Sequence, residues 1–502
     1  MALLLAVAAV FNGFTLLNYP ATFVDEGWNA SRSLALLQTG RQFAGVDSGV
    51  YQHFEGYWTY WPWLGSAIHA VAIQLLGLSL TTMRVVSLLF GLALLLVMFR
   101  LGASLVNRRT GFLAAGLLAV SLPFFYSSHM ARHDIIVAAM GYGAIALQVT
   151  EARSAATGWK AFPFRSLLAG LLIGLGLDIH LNILVLVPVM GLLYLMDSGR
   201  AILKSKPFWA FGLGLAAGVL YYAAMHILPY PEGYAGVASL SNLTGRAPIL
   251  FRADPAIWFE ALMGTLWHLD LRMLPVMALA VFALARRGSS SDRTVLLIFA
   301  AVALTHLVVT SYKTYHYAIM VAPAAALLVS AFLDRVLQRP ARTSLWGFAR
   351  MVLVTGIVAG VAILNLSRVW GASNSGYDRT VEKMVQTIPE GAGIMGAPTF
   401  WFARPYQTYI NWDQLEIYER RYPESSLADA FAYYKPEYFI MDGFIEYWLT
   451  DDPDVLNGEP LFPVLPKAEM WQILSERGTL LGEVETEPYG IVRIYKMAWQ
   501  AP

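Results

Sequence analysis

Asp25 and Glu26 stand side by side in "TFVDEGWNASRSLALLQTG", residues 22–40, directly after an apolar run. A carboxylate beside a membrane can act as a general base, taking the proton of an acceptor hydroxyl or amine as it attacks an activated sugar carbon. The same residues also suit a helix start. Apolar positions after Asp25 recur at helical spacing, and Gly40 is placed to end that helix. An Asp at the N-cap satisfies free amides and complements the helix dipole. The two roles are compatible, because capping would also orient the side chain.

Other acids and bases occur in short polar interruptions. In "SSHMARHD" the fork of Arg132 matches phosphate oxygens, and Asp134 is a second carboxylate that can bind a metal or support Arg132. His129 and His133, four apart and next to Asp134, are candidate divalent-metal ligands, with Asp25 a further one. The plainer reading of Arg132 and Asp134 is an anchor pair at a helix start. Asp178 and His180 fall in "LDIHLN" within a long apolar stretch, where a charge needs a cavity or a partner. In "SYKTYHY" Lys313 and His316 can meet a lipid phosphate, or form an aromatic belt with a snorkelling lysine. His53, Tyr60 and Trp61 lie in "YQHFEGYWTYWPW", residues 51–63, which reads equally as an interfacial belt or a sugar-stacking, cavity-lining surface.

The elements that must position these groups are set by composition. Of 502 residues, 57% are hydrophobic and 14% charged, with net charge +1 and no cysteine. Thiol chemistry and disulfides are excluded, and no basic stripe points to nucleic acid. Apolar runs of helix length recur to about residue 371, the pattern of a polytopic membrane protein. Basic residues concentrate in five short connections, around Arg108–Arg109, Arg153–Arg165, Arg200–Lys206, Arg286–Arg293 and Arg335–Arg350. Taken as cytoplasmic by the positive-inside rule, these predict about eleven spans, N-terminus inside and C-terminus outside. The spans after the first run roughly 84–106, 111–128, 134–150, 165–180, 182–197, 208–228, 272–285, 294–311, 316–333 and 350–369. Residues 63–80 carry His69 and Gln74 and are read as an interfacial helix. This topology collects the polar interruptions on the outer face, with outer loops 20–83 and 229–271; the second adds Asp254, Glu260, His268 and Asp270. From 372 to 502 the runs shorten and "YFIMD", "GIVRIYKM", "TVEKMVQTI" and "SLADAFAYY" predict a soluble α/β domain outside the membrane.

The ordered set of Asp-Glu-Gly, "SLALLQTG", "YWPWLGSAIHAVAIQLLG", "RVVSLLFGLALLLVMFRLGASL", "NRRTG" and "SSHMARHD" resembles GT-C glycosyltransferases of the dolichyl-phosphate-mannose protein mannosyltransferase superfamily (glycosyltransferase family 39-like), which includes lipid A aminoarabinose transferases. The resemblance is best over residues 1–150 and recurs at "SYKTYHYAIMVAPAAAL". It implies a membrane all-α GT-C domain over 1–371, with Asp25 as base and Glu26 supporting it. Arg132 and Asp134 match the motif near the donor phosphate, and Lys313 matches a basic residue before a late helix. Two departures stand out. The family's usual Lys/His-Pro-Pro reads Tyr60-Trp61-Pro62 here, and its usual lysine after the fifth helix is replaced by "LDIH".

The implied reaction is transfer of a sugar from a polyprenyl-phosphate donor to a protein, lipid or glycan acceptor at the outer face of the plasma membrane. One displacement would invert the anomeric centre, with Arg132 or Lys313 offsetting charge on the leaving phosphate. A divalent cation, Mg2+ or Mn2+, can fit the acidic outer face but is not required. The rival classes are a transporter with a polar outer cavity, against which no repeat pair or broken helix is found, and an oligosaccharide transferase using a pyrophosphate-linked donor.

Overall fold

The computed structural model describes residues 1–154, 162–240, 255–269, 271–310, 315–338, 344–452 and 464–499. Lys313, Asp254 and Asp270 lie outside these. The chain divides into two compact units. One comprises Met1–Leu16, Arg84–Ala223 and Pro248–Ala372; the other comprises Leu17–Met83, Ala224–Ala247 and Ser373–Pro502. The sequence reading kept the first outer loop with the membrane helices, whereas by contact density that loop folds with the C-terminal region.

The first unit is helical. Five helices among the described residues are long and apolar enough to cross a membrane: Leu80–Leu105, Leu181–Lys204, Lys206–Ile227, Ser290–Val309 and Met351–Trp370. Arg108–Ala119 and Leu122–His129, bent by 65°, make a sixth if counted as one span. The expected eleven are not reached by this measure because several elements are short. Ala2–Thr15 has 14 residues, Phe164–Ile179 has 16 and Leu274–Arg287 has 14. At 1.5 Å per residue each falls short of a ~30 Å hydrocarbon core. The basic ends are tied together: Arg109 and Asn107 meet Asp334, at 3.6 and 2.6 Å, and Arg335 meets Asp292 at 2.6 Å.

Helices Phe164–Ile179 and Lys206–Tyr222 approach backbone to backbone. Gly170 and Gly174 on one face Gly214 and Gly218 on the other, the small-xxx-small spacing that lets membrane helices close up. A Cβ on Gly218 would lie 2.4 Å from the Gly174 carbonyl carbon, and one on Gly170 would lie 2.0 Å from the Phe211 oxygen. Gly218→Ala is therefore expected to destabilise the chain by about 1–3 kcal/mol, the usual cost of overpacking. Gly212→Ala, on the same helix with nothing within 4 Å of its Cβ, should be neutral or gain up to about 1 kcal/mol of helix propensity. Thermal unfolding of the two variants in one detergent checks this.

The second unit is built on a sheet. Strands β1 Ile394–Gly396, β2 Tyr409–Asn411, β3 Tyr438–Met441, β6 Gly478–Thr486 and β7 Gly490–Met497 pair in the order β2-β1-β3-β7-β6. A separate pair joins β4 Leu449–Thr450 to β5 Leu465–Pro466. The first three strands are parallel, and β3-β7 and β7-β6 are antiparallel. β1, β2 and β3 are wholly buried, as short apolar parallel strands must be. Helices Ser375–Thr387 and Leu427–Tyr434 and strands β3 and β7 form from the segments expected of them.

Two α-helices before residue 80 belong to this unit. Trp63–Leu76 has 14 residues and stops at Gly77 (φ 82°). Val24–Thr39 stops at Gly40 (φ 72°), whose N–H donates to the Leu36 carbonyl. Val24 packs in one apolar cluster with Met395, Trp412, Phe431, Phe439 and Met441. Gly27 comes so close to Pro398 that a Cβ there would lie 1.9 Å from the Pro398 oxygen. Glycine is thus required by a close approach, and it docks the acidic pair's helix on the C-terminal region.

Candidate active site

The start of that helix differs by two residues from the expectation. Phe23, not Asp25, is the N-cap, and Asp25 and Glu26 are its second and third helical residues. Glu26 does the capping: its Oε2 accepts the Phe23 N–H at 2.9 Å, and its own N–H donates to the Phe23 carbonyl at 3.0 Å. Glu26 is fully buried. Asp25 is only half-buried, so of the two carboxylates it is the more accessible.

One turn further on lies an ion pair that sequence reasoning missed. Arg32 donates from Nε and Nη2 to the two oxygens of Asp47, both at 2.9 Å, and Trp28 Nε1 donates to the same carboxylate at 2.6 Å. The guanidinium lies 3.5 Å from the Trp61 ring centre and 4.7 Å from that of Trp28. Arg32 and Asp47 are buried. A charge on the same helix face as Trp28, four residues on, was the available signal; Asp47 carried none. Tyr60 packs on Trp61 and Tyr234. His53 is exposed and bonds the Tyr433 hydroxyl at 3.1 Å.

Asp413, also missed, is buried in the same neighbourhood. Burial, the Asp47 charge and then Glu416 push its carboxyl up from 3.8 to about 8. Burial with Glu469 and Glu416 raises Glu419 to about 7, and burial raises Asp442 to about 7. Such groups bind protons more tightly folded than unfolded, so stability is greatest below their unfolded values and falls as pH rises through the folded ones. Unfolding temperature is expected to drop between pH 5 and pH 8, and Asp413→Asn to flatten that drop. For Asp413 alone the upper bound is on the order of 6 kcal/mol at about 1.4 kcal/mol per pH unit. A scan of unfolding temperature against pH for both proteins measures it.

In the first unit the structure brings together Arg132, Asp134, His180 and His316. Arg132 Nε donates to Asp134 Oδ2 at 2.8 Å, with Arg132 and Asp134 8% and 1% exposed. Arg132 sits 5.7 Å from the Tyr317 ring centre. His316 lies 4.4 Å from Tyr317 and stacks on Tyr126 at 6.3 Å; His180 lies 5.6 Å from Tyr317. His180 and His316 both act electrostatically on Asp134. A buried cation oriented by a carboxylate and walled by aromatics is suited to hold an anion, and Asp134 here orients Arg132. His268 extends the aromatic wall, 4.5 Å from Tyr315. Asp178 is buried beside Tyr221.

His129 is a structural residue, which corrects its candidacy as a metal ligand. Its Nδ1 lies 2.8 Å from the Phe125 carbonyl and its Nε2 3.0 Å from Thr15 Oγ1, so both ring nitrogens are engaged. His133 is buried nearby in sequence, but among the described residues no three His, Asp or Glu groups converge as a metal ion would need.

The fold has known relatives. Crystal structures of ArnT from Cupriavidus metallidurans, one bound to undecaprenyl phosphate, match at TM-scores of 0.63 and 0.56 with 12% and 14% identity, covering 98% of this chain and 97% of that one. The Archaeoglobus fulgidus oligosaccharyltransferase in the apo form matches at 0.54 with 12% identity, over 88% of this chain and 69% of that one. This chain has the GT-C glycosyltransferase fold. Residues 61–223 also match the family described as dolichyl-phosphate-mannose-protein mannosyltransferase. A comparison with curated proteins found no match. The family match covers the Arg132–Asp134 pair and Trp61-Pro62, and begins one residue after Tyr60.

Proposed function

We propose that this GT-C chain is an integral membrane glycosyltransferase that moves a sugar from a polyprenyl-phosphate donor to an acceptor at the outer membrane face. The observation that carries the reading is the near full-length likeness to ArnT, whose structure was solved with undecaprenyl phosphate bound, joined to the family match over residues 61–223. Asp25 is the base that takes the acceptor proton. Arg132, oriented by Asp134 and backed by Tyr317, offsets charge on the departing polyprenyl phosphate; Lys313 is a second cation assigned to that phosphate. The displacement is single and inverts the anomeric carbon. The N-terminus is cytoplasmic and residues 372–502 extracytoplasmic. A Mg2+ or Mn2+ ion is not needed for this route.

An oligosaccharide transferase with a pyrophosphate-linked donor is a second reading; the A. fulgidus AglB oligosaccharyltransferase, solved with an inhibitory peptide and a dolichol-phosphate, matches over 99% of this chain and supports the oligosaccharide part of it alone. Purified protein is given radiolabelled sugar on polyprenyl monophosphate or on polyprenyl pyrophosphate, with membrane extract as acceptor. Transfer from the monophosphate is the expected result. Transfer from the pyrophosphate alone moves the assignment to the second reading, and none from either points to the transporter class.

A further inference from the structure

The second unit holds a cleft that the proposed chemistry does not use. Its volume is about 280 Å³, and it is lined by Trp58, Trp61, Trp63 and Tyr230 together with Arg41 and His226. That size is at the small end for small-molecule sites, which run ~300–1,000 Å³. The aromatic walls are held in place. Trp58 packs on Phe43 at 4.4 Å and edge-on to Tyr230 at 5.4 Å. Gly56 (φ 74°) leaves room for Tyr230: a Cβ there would lie 2.0 Å from Tyr230 Cγ. The polar floor is fixed as well. Gln42 donates to the Trp61 carbonyl at 3.1 Å and accepts from Ser66 Oγ at 2.6 Å, and His226 Nδ1 lies 2.6 Å from the Thr59 carbonyl.

Arg41 is the distinctive group. It is exposed, and its guanidinium lies 5.0 Å from the Trp58 ring centre and 5.8 Å from that of Phe43. Among the described residues no carboxylate pairs with it. The nearby Arg32, by contrast, is neutralised by Asp47. An uncompensated planar cation laid over the Trp58 indole and the Phe43 ring offers two things together. The faces attract the weakly positive C–H edges of a saccharide ring. The fork takes a carboxylate or phosphate in bidentate fashion. A neutral sugar would use only the first, and an alkyl chain neither.

We infer that the Trp58–Trp61–Trp63–Tyr230 cleft, with Arg41, binds an anionic sugar unit of the acceptor. This rests on the glycosyltransferase reading and adds the acceptor's class. Asp25 and Arg41 lie at opposite ends of Val24–Thr39, a helix of 16 residues, about 24 Å long at 1.5 Å per residue. A sugar held at Arg41 with its reacting group at Asp25 is therefore part of an extended glycan several rings long, not a free monosaccharide.

The test is calorimetric titration of the full chain in phosphatidylcholine nanodiscs, with no donor present. The probes are tetragalacturonate, a phosphorylated maltotetraose and neutral maltotetraose. Both anionic probes are expected to bind about tenfold or more tighter than the neutral one, the size of a charge-assisted bond. Arg41→Gln should erase that difference while leaving the unfolding temperature unchanged. Trp58→Ala should weaken all three probes, and Trp58→Phe should restore most of the loss. Equal affinity for charged and neutral probes, no binding of either charged probe, or indifference to Arg41→Gln overturns the inference. So does an Arg41-dependent signal that arises only with phosphatidylglycerol in the disc, which would assign the cleft to a lipid headgroup. Failure of sugar transfer from every donor would sink the enzymatic reading without changing these isotherms.

Discussion

Asp25→Asn is expected to lower sugar transfer by about 10²–10⁴-fold, the range for removing a positioned general base. The amide has the carboxylate's shape but cannot take up a proton. It sits at the second position of its helix, where Glu26 already provides the bond to the Phe23 N–H. The variant should therefore fold and insert as the wild type does. If Asp25 acts in the chemical step alone, kcat falls and donor KM stays near its wild-type value. Glu26→Ala is the complementary variant: it removes the capping bond and is expected to cost about 1 kcal/mol or more of stability. Single-turnover transfer measured beside thermal unfolding separates the two carboxylates. Full activity in Asp25→Asn would move the base to another acid.

Breaking the Arg32–Asp47 pair should have the largest effect on stability. Replacing Asp47 by Ala leaves a buried guanidinium between Trp28 and Trp61 with its carboxylate gone, and also removes the acceptor of the Trp28 indole N–H. Loss of one partner of a buried pair costs about 3–5 kcal/mol. Replacing both partners, as Arg32→Met with Asp47→Leu, removes the uncompensated charge and should recover much of the loss, since buried ion pairs are often matched by apolar groups of similar volume. Denaturant unfolding of the two single variants and the double variant gives the coupling between the sites. A cycle with near-zero coupling would mean that the pair contributes nothing beyond its separate packing.

The positions of the helices were legible because apolar runs and basic connections mark them directly. Gly40 ends the first amphipathic helix as its place in the sequence required. The number of full-length spans was less legible: runs such as 165–180 and 272–285 are apolar enough but too short, and length rather than hydropathy decides. The C-terminal strands were readable as "YFIMD" and "GIVRIYKM", short apolar runs bounded by turn residues. What sequence alone did not show was partnership. Asp47 and Asp413 look like ordinary polar residues on loops, and only long-range packing buries them. His129 looked like a ligand at i, i+4 spacing, yet its ring is consumed by Phe125 and Thr15. Arg132 and Asp134 were found because a charge in an apolar setting stands out on its own.

The second unit is assembled from residues 17–83, 224–247 and 373–502, and this discontinuity has a consequence in time. The helix bearing Asp25 is made well before Pro398, Phe431 and Phe439, which pack against it. About 356 residues separate the end of the first segment, Met83, from Phe439, a wait on the order of 20–70 s at ~5–20 residues per second of synthesis. Throughout that interval the acidic helix has no lasting seat. The seat of the Asp25 helix is therefore complete only once residues 398–439 have been made, so a ribosome that stalls before them leaves that helix undocked.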